Sequence, residues 1–368
     1  MLEAEHRTLR FVAVLALAVA AAACRAGEPP RSSAAAGPQD HAVILLYHHV
    51  SADTPPSTSV TPATFEEHLK YLADYNVVPL EAVVRAIENG EALPPDAVAI
   101  TFDDAYESVY TEALPRLERR GWPFTVFAST DYIDDDYGGY LSWDQLREIE
   151  RRGGAVGNHS RAHRHMIRRQ PGESASEWRE RVAADIRHAG SRLADELEAP
   201  LTYFAYPYGE FDRQLEAVVA DLGLVAFGQH SGPVGPASDL RHLPRFPVAT
   251  AYAGLDSLGD KLDSRPLPVT VLAPDSRVLA ADAGSPELRV RIPEGSYDRE
   301  RLRCFVTGQE PARISWQDDE ATIRARAPLS PGRSKFNCTV PARDEAGVYY
   351  WYSYLWIKPR PDGSWYPD

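Results

Sequence analysis

Between residue 42 and residue 265, short apolar runs alternate with segments of helical periodicity. Runs such as "AVILLYHH", "AVAITF" and "FTVFAST" begin with consecutive apolar residues, which is typical of strands buried on both faces. Segments such as "ATFEEHLKYLADY" and "WDQLREIERRGG" repeat apolar residues three and four positions apart, which indicates amphipathic helices. This alternation predicts parallel strands joined by helical crossovers. The number of such units favours a distorted (β/α)-type barrel, with an open parallel sheet as the alternative.

After Pro268 the pattern changes to short alternating runs such as "ELRVRIP", "RLRCFVTG" and "KFNCTVP", separated by Pro, Gly and Asp. This pattern predicts a small β-sandwich. In the last predicted strand, alternate residues point to opposite faces. One face carries Tyr350, Tyr352, Tyr354 and Trp356, and the other carries Tyr349, Trp351, Leu355 and Ile357. We expect both faces to be packed, against the sandwich and the barrel; the alternative is a platform on which sugars stack.

The amino-terminal residues 1–24 have the pattern of an export signal. Arg7 and Arg10 precede an apolar run that is too short to span a bilayer. Small residues then lead into Cys24, the arrangement in which bacterial lipoproteins are cleaved and lipidated. Arg25, rather than Asp, follows the cysteine, and this resembles the pattern of lipoproteins that are sorted to the outer membrane. We therefore expect an exported protein, periplasmic or an outer-membrane lipoprotein, which contacts the membrane through a lipid anchor alone.

These patterns divide the chain into four parts: the signal at 1–24, a linker at 25–41, an α/β domain at 42–265 and a β-sandwich at 266–368. The chain has three cysteines, which cannot all pair with one another. Lipidation of Cys24 leaves Cys304 and Cys338 as a pair. Because export leads to an oxidising compartment, we expect a disulfide between them.

Charge narrows the class of partner. The chain carries 39 basic and 53 acidic residues, a formal net charge of -14, without a basic stripe. We therefore do not expect the protein to bind nucleic acid, because such binding requires clustered cations that neutralise phosphates. The acidic balance favours a neutral or cationic substrate.

Acids and histidines follow two of the predicted strands. Asp103 and Asp104 follow "AVAITF", and His159 and His163 follow "AVGN". In parallel α/β folds, catalytic groups gather at the carboxyl ends of strands. Histidines four residues apart can face the same way when a helical turn begins between them. One carboxylate with two imidazoles leaves coordination positions open, which is the layout of a catalytic metal site.

The motifs "TFDDA", "HSRAH" and "FAYPYGEFD" resemble those of NodB-type polysaccharide deacetylases, carbohydrate esterase family four, over about residues 42–265. The resemblance implies a (β/α) deacetylase barrel that acts on an N-acetylated polysaccharide. It also implies that Asp104, His159 and His163 bind a divalent metal and that Asp103 is the general base. We expect zinc, although nickel, cobalt or iron fit the same ligands.

The chain departs from the family pattern at two positions. An Arg usually precedes the Pro of the third motif, but here Tyr206 does, and we expect Arg245 to take its place. The usual carboxyl-terminal motif with a general-acid His is also not evident. The first strand ends in "LLYHHV", which resembles the permuted deacetylases of poly-β-1,6-N-acetylglucosamine. That resemblance implies His48 as the acid, with His49 as the less favoured choice.

Two further segments are candidates for substrate contacts. Pro207 and Tyr208 lie in a "PYG" turn, where a backbone N–H near Tyr208 would contribute to an oxyanion hole; alternatively the segment is only a turn. Trp143 either borders the groove or simply begins a helix that Ser142 or Asp144 caps.

Three functions compete at this point. The first is metal-dependent N-deacetylation of an exported or envelope polysaccharide built on N-acetylhexosamine. The second is a catalytically silent carbohydrate-binding protein of the envelope. The third is a non-haem iron oxygenase, which also uses two His and one carboxylate. An iron oxygenase would not need Asp103, the second acid beside Asp104. The polysaccharide, its linkage, the purpose of the sandwich and the oligomeric state stay open.

Overall fold

The computed structural model describes residues 40–249 and 252–367. The predicted signal at 1–24, the lipidation site Cys24 and most of the linker at 25–41 lie outside the described residues. Within the described part of the chain, every helix is too short or too polar to cross a membrane.

The secondary structure follows the predicted order. The helices are α1 (Pro62–Tyr71), α2 (Leu80–Asn89), α3 (Leu114–Glu118), α4 (Thr130–Asp134), α5 (Trp143–Arg151), α6 (Ala175–Glu196), α7 (Arg213–Asp221) and α8 (Leu255–Leu262). The strands are β1 (Val43–Tyr47), β2 (His49–Val50), β3 (Ser59–Val60), β4 (Asn76–Val77), β5 (Ala97–Phe102), β6 (Phe124–Ala128), β7 (Gly154–Asn158), β8 (Tyr203–Ala205), β9 (Val225–Phe227), β10 (Phe246–Pro247), β11 (Arg265–Pro266), β12 (Thr270–Ala273), β13 (Glu287–Arg291), β14 (Arg303–Val306), β15 (Arg313–Gln317), β16 (Glu320–Arg324), β17 (Gly332–Pro341) and β18 (Tyr349–Lys358).

The first part of the chain forms one parallel sheet of eight strands. Seven of them are in the order β10-β1-β5-β6-β7-β8-β9, and β4 pairs with β5. The sheet curls into a half-barrel, so the predicted (β/α) class is confirmed. Strands β10 and β9 are the two ends of this order. The segment just before β10 contacts β9 through an isolated bridge between Leu243 and Phe227.

Strand β1 shows why these strands have little polar character. Val43, Leu45 and Tyr47 point into a core on one face of the sheet, which α1, α3 and α5 cover. Ile44 points to the other face, where it packs in a second core with residues of α2. Because both faces are buried, apolar residues occupy consecutive positions rather than alternate ones.

The helices begin at the polar residues that the sequence indicates. Thr61 caps α1 by accepting a hydrogen bond from the backbone of Thr64, with Pro62 in the first turn. Ser142 and Ser174 each form a capping box, at the start of α5 and α6. Each cap satisfies an otherwise unpaired N–H and contributes about 1 kcal/mol.

The last part of the chain forms two four-stranded sheets, in the orders β11-β18-β17-β14 and β12-β13-β16-β15. Their inner faces share one apolar core, which includes Val290, Ile323, Phe336 and Val340. A disulfide joins Cys304 to Cys338, which lie opposite each other in β14 and β17. The architecture is that of a small β-sandwich.

Strand β18 connects the sandwich to the half-barrel. Its residues Tyr354 and Trp356 point into the sandwich core. On its other face, Leu355 and Ile357 pack in an apolar cluster that also contains Phe204 of β8. The described residues accordingly form one compact unit, and the domain boundary at 265/266 stays a prediction.

Candidate metal centre and active site

The candidate site lies at the carboxyl edge of the parallel sheet. Asp103 and Asp104 directly follow β5, and His159 directly follows β7. The "PYG" turn at Pro207–Gly209 comes two residues after β8. Parallel strands end at the same edge, so side chains far apart in the sequence are brought to one place.

Three of these side chains converge on a common point. Nε2 of His159 lies 3.3 Å from Oδ1 of Asp104, and Nε2 of His163 lies 3.2 Å from the same oxygen. One ligand atom from each residue lies within 4.8 Å of the other two. Two imidazole nitrogens and a carboxylate oxygen at this spacing can all bind one divalent ion.

The hydrogen bonding of His159 fits a metal ion at that point. Its Nδ1 lies 2.8 Å from the carbonyl oxygen of Ala205, which can only accept, so Nδ1 carries the proton. Nε2 then presents a lone pair toward Asp104. This nitrogen is buried and has no hydrogen-bond partner among the described residues. A buried polar atom without a partner is costly, and coordination to a cation would satisfy it.

The charges around the site favour the metal-binding protonation states of Asp104 and His163. Burial would lower the pKa of His159, but Asp103 and Asp104 raise it, and a cation held between these groups would oppose that rise. Burial alone would raise the pKa of Asp104, but the close contact with Nε2 of His159 and the nearby His48 lower it well below the usual range. Burial, and then the charge of His159, lowers the pKa of His163 to about 4. Asp104 is therefore a carboxylate and His163 a neutral imidazole near pH 7, the forms in which both act as ligands.

The backbone around the site adopts uncommon conformations. Of the eight described non-glycine residues with positive φ, five lie in the loops of the site: Asp104, Ala105, Ser160, His163 and Tyr208. For such residues the left-handed region costs free energy and is found mainly at functional sites. The loops therefore position the candidate ligands at a conformational cost.

Asp103 lies beside the three-residue cluster and has a different partner. It is fully buried, and the guanidinium of Arg245 donates to both carboxylate oxygens, each at 2.7 Å. Burial would raise the pKa of Asp103, but the charge of Arg245, the charge of His159 and the hydrogen bonds from Arg245 together lower it. Nε of Arg245 donates to the carbonyl of Gly228 at 2.9 Å, which fixes the guanidinium. Asp103 is thus held ionised and oriented.

The two adjacent histidines after β1 have different surroundings. His48 is half-buried and lies close enough for its charge to influence Asp103, Asp104 and His163. The ring of His49 stacks on Tyr106, with the centroids 3.5 Å apart. Burial lowers the pKa of His49 to about 4. Both histidines are therefore close enough to interact with Asp104, and they differ in that His49 is stacked on an aromatic ring.

The "PYG" turn borders the cluster on the side of His163. Tyr208 lies at the centre of the 3₁₀ turn Pro207–Gly209, and its ring centroid is 4.4 Å from that of His163. On its other side the ring stacks on His165 at 3.8 Å. Nη1 of Arg333, from the sandwich, donates to the Tyr208 carbonyl at 3.0 Å. The turn is therefore fixed from both parts of the molecule.

Trp143 contacts a different part of the half-barrel. It is the first residue of α5, which Ser142 caps, and its Nε1 donates to Asp134 at 2.9 Å. The guanidinium of Arg192 lies 5.2 Å from the centre of its ring. These contacts fix the indole against α4 and α6, and a role of Trp143 in bordering the groove stays a prediction.

Sequence reasoning missed a cluster of tyrosine rings next to the site. Tyr140 stacks on Tyr132 with the centroids 4.6 Å apart and lies 5.0 Å from Tyr106. Tyr137 contacts both Tyr132 and Tyr140 and is 61% exposed. After burial, the charge of Asp104 is the next largest influence that raises the pKa of Tyr106. The density of tyrosines in "DYIDDDYGGY" was the available signal.

Gln229 is a second contact that the sequence did not reveal. Its Nε2 lies 3.4 Å from Oδ2 of Asp103, from a position 126 residues further along the chain. No motif surrounds it, so only the fold identifies it.

A second group of possible ligands, Asp131, Asp134 and His188, lies near the surface. Arg161 pairs with Asp131 at 2.7 Å, and Arg192 pairs with Asp134 at 2.7 Å. Because these carboxylates already have cationic partners, the group is a weaker candidate for a metal than the buried cluster.

The comparison with protein families agrees with this geometry. The family model described as polysaccharide deacetylase matches residues 90–227, which include both acids, both histidines and the "PYG" turn. This segment is a polysaccharide deacetylase domain. His48 and Arg245 lie outside the matched segment, although the fold brings both to the deacetylase site.

Several curated relatives have the same name. The poly-β-1,6-N-acetyl-D-glucosamine N-deacetylase of Escherichia coli K12 is 25% identical over 251 residues, 58% of this chain and 37% of that protein. The protein of that name from Staphylococcus aureus MRSA252 is 22% identical over 212 residues, 56% of this chain and 73% of that protein. The matched region thus spans little more than a third of the E. coli relative.

Solved structures share the fold of the deacetylase domain. The deacetylase PplD of Streptococcus pyogenes, in complex with acetate, has a TM-score of 0.55 at 22% identity and covers 61% of this chain and 99% of that chain. IcaB from Ammonifex degensii has a TM-score of 0.54 at 23% identity, and the alignment covers 61% of this chain and 98% of IcaB. At these identities the likeness concerns the fold.

Proposed function

We propose that this protein is a metal-dependent hydrolase that removes N-acetyl groups from an N-acetylhexosamine polysaccharide of the envelope or of exported material. The proposal rests mainly on one observation: two adjacent acids have different partners. Asp104 lies with His159 and His163 at one point, and Asp103 is held beside them by Arg245. The names of the curated relatives make poly-β-1,6-N-acetylglucosamine the first substrate to test.

Asp104, His159 and His163 would hold the divalent ion, for which we favour zinc over nickel, cobalt or iron. When bound, such an ion polarises a carbonyl and lowers the pKa of water to about 7. The three side chains leave coordination positions open, as a catalytic site requires.

Asp103 would accept the proton of the attacking water. Its low pKa keeps it ionised at neutral pH, and the bidentate contact with Arg245 orients its oxygens. Proton transfer by a positioned group is typically worth about 10²–10⁴-fold in rate. In this proposal Arg245 is a positioning residue, and it does the work of the Arg that the third motif lacks.

His48 would donate a proton to the departing sugar amine. Amines leave poorly as anions, so an acid must protonate the nitrogen as the amide bond breaks. His48 directly follows β1, near the amino-terminal end of the domain. The acid of the usual family pattern comes from a carboxyl-terminal motif instead. The ring of Tyr208, next to His163, would border the acetyl group.

The rival iron oxygenase has less support from the structure. The site lies on a parallel half-barrel, whereas we would expect an antiparallel jelly roll for such an enzyme. The oxygenase reaction would also not require Asp103, which Arg245 holds in place.

The location that we propose is outside the cytoplasm, in the periplasm or on the outer membrane through a lipid on Cys24. The disulfide between Cys304 and Cys338 suits an oxidising compartment. An exported polysaccharide substrate suits it as well.

Acetate release tests the proposal. The zinc-loaded protein is incubated with oligosaccharides of β-1,6-linked and β-1,4-linked N-acetylglucosamine and with peptidoglycan. We expect release from at least one substrate, and a loss of about 10²–10⁴-fold in Asp103→Asn, which keeps the size of the side chain. Release that is equal in Asp103→Asn and the wild type, or no release from any of the three, would contradict the proposal.

A further inference from the structure

A large cleft separates the sandwich from part of the deacetylase domain. Its volume is about 1010 Å³. Its walls are the outer face of β14, β17 and β18 on one side and, on the other, Pro247, Tyr252, Ser257, Asp260 and Lys261. Among the described residues, Asp104, His159 and His163 do not line it. The cleft is therefore a separate feature from the candidate metal centre.

The sandwich wall of the cleft is built by strand alternation. In β14, Cys304 and Val306 face the core, so Arg303 and Phe305 face the cleft. The neighbouring strand β17 places Thr339 opposite Arg303 and Asn337 opposite Phe305. The wall therefore presents aromatic, basic and hydrogen-bonding side chains side by side rather than the apolar face that a buried sheet would have.

Exposed aromatic rings are concentrated in this cleft. Of the six exposed large hydrophobic side chains in the described chain, three line it: Tyr252, Phe305 and Tyr349. Trp351 contributes a fourth ring, which is partly buried. Exposed apolar side chains that cluster, rather than occurring singly, mark a binding surface. Flat rings with one open face are suited to the apolar faces of sugar rings.

The cleft is basic although the chain as a whole is acidic, with a net charge of -14. Its lining contains five cationic and two acidic side chains: Lys261, Arg301, Arg303, Arg333 and Lys335 against Asp260 and Glu300. The ammonium groups of Lys261 and Lys335 donate to backbone carbonyls, and Arg333 lies 3.9 Å from Glu210, so Arg301 and Arg303 are the cations open to a ligand. In the described chain, no carboxylate forms an ion pair with Arg301 or Arg303, and both are exposed. Cations that carboxylates of the protein do not neutralise attract an anionic ligand.

The cleft adjoins the candidate active site through two of its basic residues. Nζ of Lys335 donates to the carbonyl of Gln229 at 2.6 Å, and the side chain of Gln229 contacts Asp103. Arg333 donates to the carbonyl of Tyr208. A polymer that lies along the cleft would therefore pass next to the loops that carry the metal centre.

We infer that the cleft binds a stretch of the polysaccharide substrate and that this polysaccharide carries carboxylate groups, as uronic acid residues do. Such a substrate differs from the uncharged poly-β-1,6-N-acetylglucosamine in the names of the curated relatives, and from the neutral or cationic substrate that the net charge favours. The inference rests on the proposed function, because it makes the ligand of the cleft a continuation of the substrate. Arginine recognises carboxylates through paired hydrogen bonds, and the aromatic rings recognise the sugar faces. Asp260 and Glu300 lie among the cations of the lining, so the charge of the cleft is mixed, which suits a polymer of low charge density. It does not suit a nucleic acid, which carries about one charge per 1.7 Å of duplex.

Binding of defined oligosaccharides tests this inference. The zinc-loaded full chain is titrated calorimetrically with an oligosaccharide of alternating N-acetylglucosamine and glucuronate. The matched ligand is the same oligosaccharide with its carboxylates reduced to alcohols. We expect the carboxylated form to bind about tenfold more tightly, with the preference falling as salt is added, because exposed charges are screened.

Variants locate the binding. We expect Arg303→Glu and Phe305→Ala each to weaken binding by about fivefold to tenfold, since both side chains are exposed and line the cleft. Arg313→Glu is the matched control, because Arg313 is an exposed arginine on β15 of the other sheet, outside the cleft. Equal affinity for the carboxylated and reduced ligands, or equal losses in Arg303→Glu and Arg313→Glu, would overturn the inference. Tighter binding of single-stranded DNA of the same charge would also overturn it.

The result can be separated from the test of the proposed function. Acetate release by the wild type without binding in the cleft refutes this inference and leaves the deacetylase proposal intact. Binding of the carboxylated ligand by the wild type and by Asp104→Asn, without acetate release from any substrate, supports the cleft and refutes the deacetylase.

Discussion

Asp103 and Asp104 are adjacent in the sequence but have separate partners. Asp104 has a φ of 73°, which turns the chain so that its carboxylate meets His159 and His163. Asp103 instead meets Arg245, with both side chains fully buried. A buried carboxylate and a buried guanidinium stabilise each other only while both are present, because either one alone would be an uncompensated charge.

Removal of the arginine charge should change the pH dependence of the reaction. In Arg245→Gln, Asp103 loses the cation that lowers its pKa, so the pKa rises and the base becomes protonated at a higher pH. We expect the acidic limb of the kcat/KM profile to move to higher pH, and turnover at neutral pH to fall by about 10²-fold or more. Bound zinc, measured by mass spectrometry, should be unchanged.

The conservative variant Arg245→Lys separates orientation from charge. It keeps a cation but not the paired hydrogen bonds, so the pH profile should move less than in Arg245→Gln. An unaltered profile in Arg245→Gln, in a variant shown by circular dichroism to be folded, would contradict the role of Arg245.

His48 and His49 provide an internal comparison. We expect His48→Ala to reduce turnover by about 10²–10⁴-fold without loss of zinc, because an acid is removed but no ligand. His49→Ala should have a smaller effect, since the ring of His49 is stacked on Tyr106. Loss of zinc in His48→Ala would show that His48 is a ligand rather than the acid.

The sequence predicted the residues of the site better than their supports. Asp103, Asp104, His159 and His163 stand in recognisable motifs directly after strands. Arg245 is 142 residues from Asp103, and it was considered only because the third motif lacks its arginine. Gln229 has no such signal, and the tyrosine cluster has only the density of tyrosines in "DYIDDDYGGY", because their positions depend on which loops the curled sheet brings together.

At the scale of elements, long strands and helices were predictable and very short strands were not. Apolar runs of five or six residues indicate β1, β5 and β6 directly. Strands β3 and β11 have two residues each, which is too short for any periodicity to be visible. They are defined by pairing with β2 and β18, which only the three-dimensional arrangement supplies.

The disulfide should stabilise the sandwich without affecting the metal centre. It links β14 to β17 across 34 residues of sequence. Cys304→Ala with Cys338→Ala should lower the free energy of unfolding by about 2–4 kcal/mol, because the unfolded chain loses a constraint. Urea unfolding of the variant and of the wild type, with and without a reducing agent, measures this. Equal midpoints for the oxidised wild type and the double variant would contradict it.

At the scale of the whole molecule, the sandwich and the half-barrel share an apolar cluster. Leu355 and Ile357 of β18 lie in that cluster with Phe204 and Phe211 of the deacetylase part. The sequence indicated this packing, because both faces of the last strand are apolar or aromatic. It did not indicate the basic cleft, since the net charge of a chain says nothing about where its cations lie.

Leu355→Ala tests whether the two parts depend on each other. The side chain is buried, so its truncation should lower the free energy of unfolding by about 2–5 kcal/mol. The loss of zinc on heating should move to lower temperature together with the circular dichroism signal. Val271→Ala, at an exposed position of the sandwich, is the control and should change neither. Zinc release at an unchanged temperature in Leu355→Ala would show that the parts unfold independently.

The convergence of one carboxylate and two imidazoles on a single metal ion underlies the proposed chemistry, and the zinc content of the purified protein tests it most directly. After loading and dialysis, we expect one zinc per wild-type chain, and its loss in Asp104→Asn, His159→Ala and His163→Ala. Asp131→Ala, from the surface group, should keep its zinc. A wild-type chain without zinc, or full zinc content in His159→Ala, would contradict a metal centre at this site.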